Sequence, residues 1–190
     1  MSKGRDFLLQ ESKKIVELWS KAETLELDAI EKLAERVKST FKSNGILAFA
    51  GNGGSAAEAN HLAAEFIGRC VVDHRPLRAL SLSENNSILT ALVNDYGADQ
   101  LFARQVEALF NPESILIGLS TSGTSPNVLA GLAKAKELGS YTIMWTGAKQ
   151  KEDLSYVDEI WRVPSLSTPR IQEVHLAWGH LLAEVIEQTL

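Results

Sequence analysis

The sequence predicts an α/β fold of three layers: a five-stranded parallel sheet covered by helices on both faces and preceded by a pair of helices. Three observations carry this expectation. Five short apolar runs, each bounded by Gly, Ser, Pro or Asn, alternate with segments long enough for crossover helices, which is the pattern of a parallel sheet. The first run ends in a glycine-rich turn, Gly51-Asn52-Gly53-Gly54-Ser55, that leads into a helical segment. Ahead of that run, Ile30, Leu33, Ala34, Val37 and Phe41 fall at i, i+3, i+4, i+7 and i+11, a single apolar stripe on a helix that cannot be a crossover.

In chain order, the first helix is expected at about 5–22, where Leu8, Ile15, Trp19 and Ala22 mark a looser stripe that breaks near Thr24. The second is expected at 26–42. The strands are Gly45–Ala50, Leu77–Leu82, Ile115–Ser120, Tyr141–Thr146 and Glu159–Val163. Between them, Ala56–Arg69, Glu84–Asn94, Asp99–Phe110 and Pro126–Leu138 read as helices, and a last helix runs from Pro169 to the end. No internal repeat, low-complexity stretch or linker interrupts this order. Residues 1–190 are therefore expected to form one domain, with helices over 1–42 and an α/β core over 43–190. The stripes of the helical pair must pack either on the sheet's outer layer or on another subunit, and a homo-oligomer is the expectation.

Composition narrows the function. The chain has 190 residues, of which 45% are apolar and 23% charged, with 19 Lys and Arg against 24 Asp and Glu for a net charge of −5. No apolar run approaches the roughly 18 to 20 residues that span a bilayer, and no basic, then apolar, leader opens the chain, so neither a membrane nor export is expected. The absence of a Lys/Arg block argues against nucleic acid. The one cysteine, Cys70, can form no intrachain disulfide and lacks the combination of neighbouring Cys and His that a thiolate zinc site would need. The cytoplasm is the expected compartment and a small molecule the expected partner.

Several motifs could carry chemistry. In a parallel sheet, ligands bind beyond the carboxyl ends of strands, and Gly51–Ser55 stands where backbone N–H groups and a helix N-terminus can approach an anion. The loop has neither GxGxxG nor Gly-Lys-Ser/Thr, which disfavours a nucleotide, and a purely structural turn is the plainer alternative. After the third strand, Ser120-Thr121-Ser122-Gly123-Thr124-Ser125 places five hydroxyls in six residues, with Ser125 as N-cap and Pro126 as first helical residue. This suits a phosphate monoester without Lys or Arg. The alternative is a capping cluster. His61 and Glu65, four apart on one helix face, form either a metal-ligand pair or a surface ion pair. On the last helix, Gln172 and His180 lie about 80° apart around the axis and can face one point, whereas His175, about 140° from His180, reads as a packed or surface residue. His180 by itself also fits a core histidine. Asn94-Asp95-Tyr96-Gly97 reads by itself as a helix stop.

Taken together, Gly51–Ser55 with His61 and Glu65, Asn94-Asp95-Tyr96-Gly97, Ser120–Gly123, and Arg170-Ile171-Gln172-Glu173 with His180 resemble the phosphoheptose isomerases. These are sedoheptulose 7-phosphate isomerases of the sugar isomerase (SIS) domain superfamily, and the likeness spans essentially the whole chain. It implies a SIS fold assembled as a homotetramer with interface active sites. It also implies interconversion of sedoheptulose 7-phosphate and D-glycero-D-manno-heptose 7-phosphate at the start of nucleotide-activated heptose synthesis for surface polysaccharide. The phosphate would sit on Ser120, Thr121, Ser122 and Ser125, while Asn52, Gly53, Gly54, Ser55, Glu65, Asn94, Asp95 and Gln172 would line the rest of the substrate site. Zinc, one ion per subunit, would be held by His61, Glu65, Gln172 and His180.

Moving a carbonyl from C2 to C1 needs a base for a carbon-bound proton and stabilisation of an ene-diolate. Glu65 is assigned to the C1/C2 proton and His180 to oxygen protonation or ring opening. The same groups cannot be tight zinc ligands and free proton carriers at one instant, so ligation must loosen or the roles divide. The chain departs from the family at Asn60, at Pro169 where some members carry Asp, and at Lys149-Gln150-Lys151, read as reshaping a surface turn. Two other readings stand beside the isomerase: a non-catalytic SIS-type adaptor, like relatives that associate with the bacterial replication initiator, and an isomerase of another phosphosugar. Retention of both Glu65 and His180 separates this chain from those adaptors.

Overall fold

The computed structural model describes residues 2–21 and 26–190. Its elements are α1 (Lys3–Trp19), α2 (Leu27–Lys42), β1 (Leu47–Gly51), α3 (Gly54–Ile67), β2 (Ala79–Ser81), α4 (Asn86–Tyr96), a 3-10 turn (Ala98–Gln100), α5 (Ala103–Leu109), β3 (Ile115–Ser120), α6 (Pro126–Glu137), β4 (Tyr141–Gly147), β5 (Glu159–Val163) and α7 (Thr168–Thr189). The strands form one parallel sheet in the order β2-β1-β3-β4-β5. Because β2 and β3 lie on opposite sides of β1, the direction of winding reverses between β1 and β3. A crevice opens there at the carboxyl ends of the two strands.

Alternation along the strands fills two cores. Leu47, Phe49, Ile115, Ile117 and Leu119 pack with the buried faces of α2, α3 and α7. Ala48, Ala50 and Leu116 pack with Phe102, Val106 and the α6 residues Val128 and Leu132 on the opposite face. The expected stripe of α2 is realised residue for residue: Ile30, Leu33, Ala34, Val37 and Phe41 are all buried. Strand β2 is shorter than expected, yet Leu82 still donates its N–H to the Phe49 carbonyl at 2.9 Å, so pairing continues just past the regular segment.

Two expectations need correction. Asp99–Phe110 is not one helix. Gly97, at φ +83°, ends α4, a 3-10 turn follows, and Leu101 and Phe102 dive into the core before α5 begins. The lysine-flanked segment 149–151 is not only a surface turn, because Gln150 is buried against Gly123. For the first helix, Ala22 and the break near Thr24 lie outside the described residues. Within α1 itself only Leu18 is buried, and Phe7, Leu8 and Val16 are 59%, 67% and 70% exposed. Helix α4 also buries none of its residues. No helix among the described residues is long and apolar enough to cross a membrane.

Helices α3 and α7 lie side by side on one face of the sheet, running in the same direction. Gly179 permits this, since a Cβ there would stand 2.2 Å from a Leu62 methyl carbon. Trp178 locks α7 to the sheet, its ring edge-on to Trp145 and Trp161 at centroid distances of 5.7 and 5.6 Å. Further on, the Glu187 carboxylate accepts the backbone N–H groups of Cys70, Val71 and Val72 at 2.6, 2.9 and 2.9 Å. Burial opposes its charge, but those donors hold the Glu187 carboxyl below the ordinary value.

The helix contact is testable. Gly179→Ala is expected to destabilise the fold by about 1–3 kcal/mol through overpacking. Because Leu62 is the group struck, Leu62→Ala with Gly179→Ala should lose less than the sum of the two single changes in urea unfolding.

Candidate active site

The turn after β1 is shaped by close approaches. A Cβ at Gly51 would meet the Ser55 carbonyl oxygen at 2.6 Å, and one at Gly54 would meet the Gln172 amide nitrogen at 2.5 Å. Gly53 turns the chain at φ +56°. Behind the turn, Ser83 clamps the end of β1, its hydroxyl donating to the Gly51 carbonyl at 2.8 Å.

The turn after β3 is organised by its own hydroxyls. Those of Ser120 and Ser125 pair at 2.9 Å, the Gly123 N–H donates to Ser120 Oγ at 3.1 Å, and the Thr124 N–H and hydroxyl donate to Ser122 Oγ at 3.2 and 3.0 Å. Ser125 does occupy the N-cap of α6, but its side chain makes no capping bond, because it faces Ser120 instead. Gly123, at φ +71°, sits on Gln150, whose Cβ would lie 2.5 Å from an added methyl. Thus the segment expected to reshape a surface turn supports the hydroxyl loop from below. Thr121 takes part as well, its carbonyl accepting the Gly147 N–H at 3.2 Å.

Three of the four residues expected at a metal converge. His61 Nε2 lies 2.8 Å from His180 Nε2 and 3.2 Å from Glu65 Oε1, and the three donor atoms all lie within 4.8 Å of one another. Two imidazole nitrogens and one carboxylate oxygen aimed at one point fit the donor set of a catalytic zinc with an open position. Gln172 is held elsewhere: its amide donates to Ser55 Oγ at 3.3 Å, at the start of α3. His61 lies six residues beyond Ser55, about 9 Å of helix rise. Gln172 and His180 lie about 12 Å apart along α7, so facing one way does not bring both to one point. Asn94 and Asp95 stand exposed at the end of α4, joined to each other at 2.7 Å. Pro169 lies in the first turn of α7, where its missing N–H is harmless.

The SIS domain family matches residues 12–147. A phosphoheptose isomerase of Roseiflexus sp. is 46% identical over 172 residues, covering 90% of this chain and 87% of that protein. One from Aquifex aeolicus is 50% identical over 145 residues, covering 76% and 75%. The chain belongs to the phosphoheptose isomerase family. Among solved structures, the Francisella tularensis member superposes with a TM-score of 0.87 at 31% identity, over 98% of this chain and 100% of that one. The Neisseria gonorrhoeae member gives 0.86 at 32%, over 97% and 98%.

Within this isomerase fold the remaining titratable groups divide clearly. Burial pushes His175 down to about 3, so it stays neutral, stacked on Trp178 with Nε2 3.5 Å from the Thr146 carbonyl. Of the two readings open for it, packed or at the surface, His175 is packed. Burial, with Glu65 and Glu187 nearby, pushes the Cys70 thiol up to about 11, which makes it a poor nucleophile.

Two residues at the site escaped the sequence reading. Asn127, in the first turn of α6, exchanges two amide hydrogen bonds with Asn52 at 2.9 and 2.8 Å. Glu58, one turn beyond Ser55, is buried, and its Oε2 has no hydrogen-bond partner among the described residues. A carboxylate three residues after Ser55 and three before His61 was the available signal.

Burial pushes Glu58 up to about 7 from 4.5, against the opposing pull of the Ser55 hydroxyl. A carboxyl raised on folding stabilises most below its unfolded value, and that contribution is lost as pH rises from 4.5 through 7. Glu58→Gln should therefore be more stable than the parent at pH 8, by about 3 kcal/mol, and show no advantage at pH 4.5. Thermal denaturation across that range checks it.

Proposed function

We propose that this chain interconverts sedoheptulose 7-phosphate and D-glycero-D-manno-heptose 7-phosphate by proton transfer through an ene-diolate. The observation that carries the reading is the convergence of Glu65, His61 and His180 on one point. Family membership supports the substrate class. The hydroxyls of Ser120, Thr121, Ser122 and Ser125, with the N-terminus of α6, take the phosphate by hydrogen bonds and partial positive charge. Asn52, Gly53, Gly54, Ser55, Asn94, Asp95 and Gln172 line the sugar.

Glu65 takes the carbon-bound proton and returns it to the neighbouring carbon. His180 serves the oxygen side, protonating it or opening the ring. The reaction is a 1,2 shift with no net loss of atoms, so one carboxylate suffices for both halves. Zinc would be held by His61, Glu65 and His180 and would supply Lewis acidity at the carbonyl. The proposed setting is the cytoplasm, at the entry to nucleotide-activated heptose synthesis.

The assembly proposed is a homotetramer of one-domain subunits, 1–190, with residues 1–42 forming the contacts and the active sites lying between subunits. What supports it is the exposed apolar surface of α1 and of α4, which carries Asn94 and Asp95 while burying none of its own side chains.

With zinc supplied, Glu65→Gln is expected to lower kcat about 10²–10⁴-fold while leaving the circular dichroism and mass unchanged. An undiminished rate would remove the assigned base. A coupled assay across C5 to C7 ketose phosphates, with and without chelator, tests the chain length and the metal together. By light scattering the parent should weigh four chains, and Leu8→Lys with Val16→Lys should weigh fewer.

A further inference from the structure

We propose that Asn127 is a positioning residue: it fixes which way the Asn52 amide points, and so sets the hydrogen-bonding groups that the glycine turn offers a sugar. The inference rests on the phosphosugar reading for its consequence, though not for its geometry.

The two ends of a carboxamide have nearly the same shape, and what separates them is only which one donates. At this pair the choice is forced from outside. The backbone N–H of Val128 donates to Asn127 Oδ1 at 3.0 Å, and a backbone N–H can only donate. The Asn127 oxygen is therefore fixed, which turns its Nδ2 toward Asn52 Oδ1 at 2.8 Å. The reciprocal bond, Asn52 Nδ2 to Asn127 Oδ1 at 2.9 Å, completes the ring. One backbone amide thus orients two side chains in series.

The remaining capacity follows by counting. Each amide oxygen accepts two hydrogen bonds and each NH2 donates two. The Asn127 oxygen is used up by Val128 and Asn52. Asn52 keeps one N–H and one lone pair, a complementary couple for a hydroxyl that both donates and accepts. With the opposite orientation, the Asn127 NH2 would face the Val128 N–H, donor against donor, and Asn52 would have to turn over with it to keep both bonds.

The placement makes this matter. Asn52 belongs to the turn after β1 and Asn127 to the helix after β3, so the pair bridges the crevice where the winding of the sheet reverses. Pro126, immediately before Asn127, fixes the backbone that carries it. Ser125, the N-cap, spends its hydroxyl on Ser120, so Asn127 is the side chain that meets the Val128 N–H. Asn52 is exposed and Asn127 half-buried, and exposed hydrogen bonds add little to stability, so fold stability does not explain the pair.

A double-mutant cycle tests the proposal on the full-length, zinc-supplied protein. Asn52→Ala and Asn127→Ala should each raise KM for sedoheptulose 7-phosphate about tenfold with kcat changed far less, and the double variant should also show about tenfold, not a hundredfold. Asn127→Asp keeps an acceptor for Val128 but loses the donor to Asn52. It should keep the melting temperature yet raise KM, and should add nothing in the Asn52→Ala background. Additive effects, or an Asn127→Asp enzyme with the parent KM, would overturn the proposal. A substrate-free measurement separates this from the assigned reaction: in protein labelled with 15N-asparagine, Asn127→Ala should shift the Asn52 side-chain amide signals and speed their solvent exchange. Unmoved signals overturn the inference whatever the enzyme does. Moved signals with an inert parent uphold Asn127's hold on Asn52 and place the failure on the substrate reading.

Discussion

The site depends on one packing constraint, the parallel contact of α3 and α7 through Gly179 and Leu62. With no side chain at 179, the helices approach closely enough for His61 and Glu65 on one to meet His180 on the other. The contact is anchored along its length. Near the start, Gln172 lies against Gly54 and Ser55; toward the end, Glu187 gathers three backbone N–H groups of the segment that leaves α3. The tryptophans then fix α7 against β4 and β5, so the register of the pair is tied to the sheet. Packed interiors transmit such constraints because they have little free volume to absorb a shift.

The second organising feature is the reversal of winding between β1 and β3. It leaves two turns facing each other with no strand connection between them, and each is prepared differently. The glycine turn is made narrow by Gly51 and Gly54. The hydroxyl turn is ordered by bonds among Ser120, Ser122, Thr124 and Ser125. Neutral hydroxyls and backbone N–H groups are suited to an anion that must also leave, since they bind it without a buried cation. Gln150 beneath Gly123 is part of that preparation, which explains how a polar residue in a lysine-flanked turn comes to be buried.

Much of the architecture was legible in the chain. The α2 stripe, the five strand positions and the two loops appear where periodicity and turn residues put them, because each is decided by local pattern. The split of Asp99–Phe110 was not legible, since Leu101 and Phe102, between the 3-10 turn and α5, are buried in a core that only the assembled sheet creates. The pairing of Asn52 with Asn127 was equally hidden: the residues stand 75 positions apart, and neither has a neighbour in sequence that signals the other.

By itself, then, the sequence determined the alternation of strands and helices, the residue types able to bind an anion and a metal, and the family those motifs resemble. All of these are properties of short windows and of spacing. Tertiary structure decided which candidates meet. It joined His61 and Glu65 to His180, drew Gln172 to the glycine turn instead, kept His175 neutral among tryptophans, and buried Glu58 without a full set of partners. Angular position on a helix says which way a side chain faces, but rise along the axis and the approach of a second helix decide what it touches, and those distances exist only once the layers have packed.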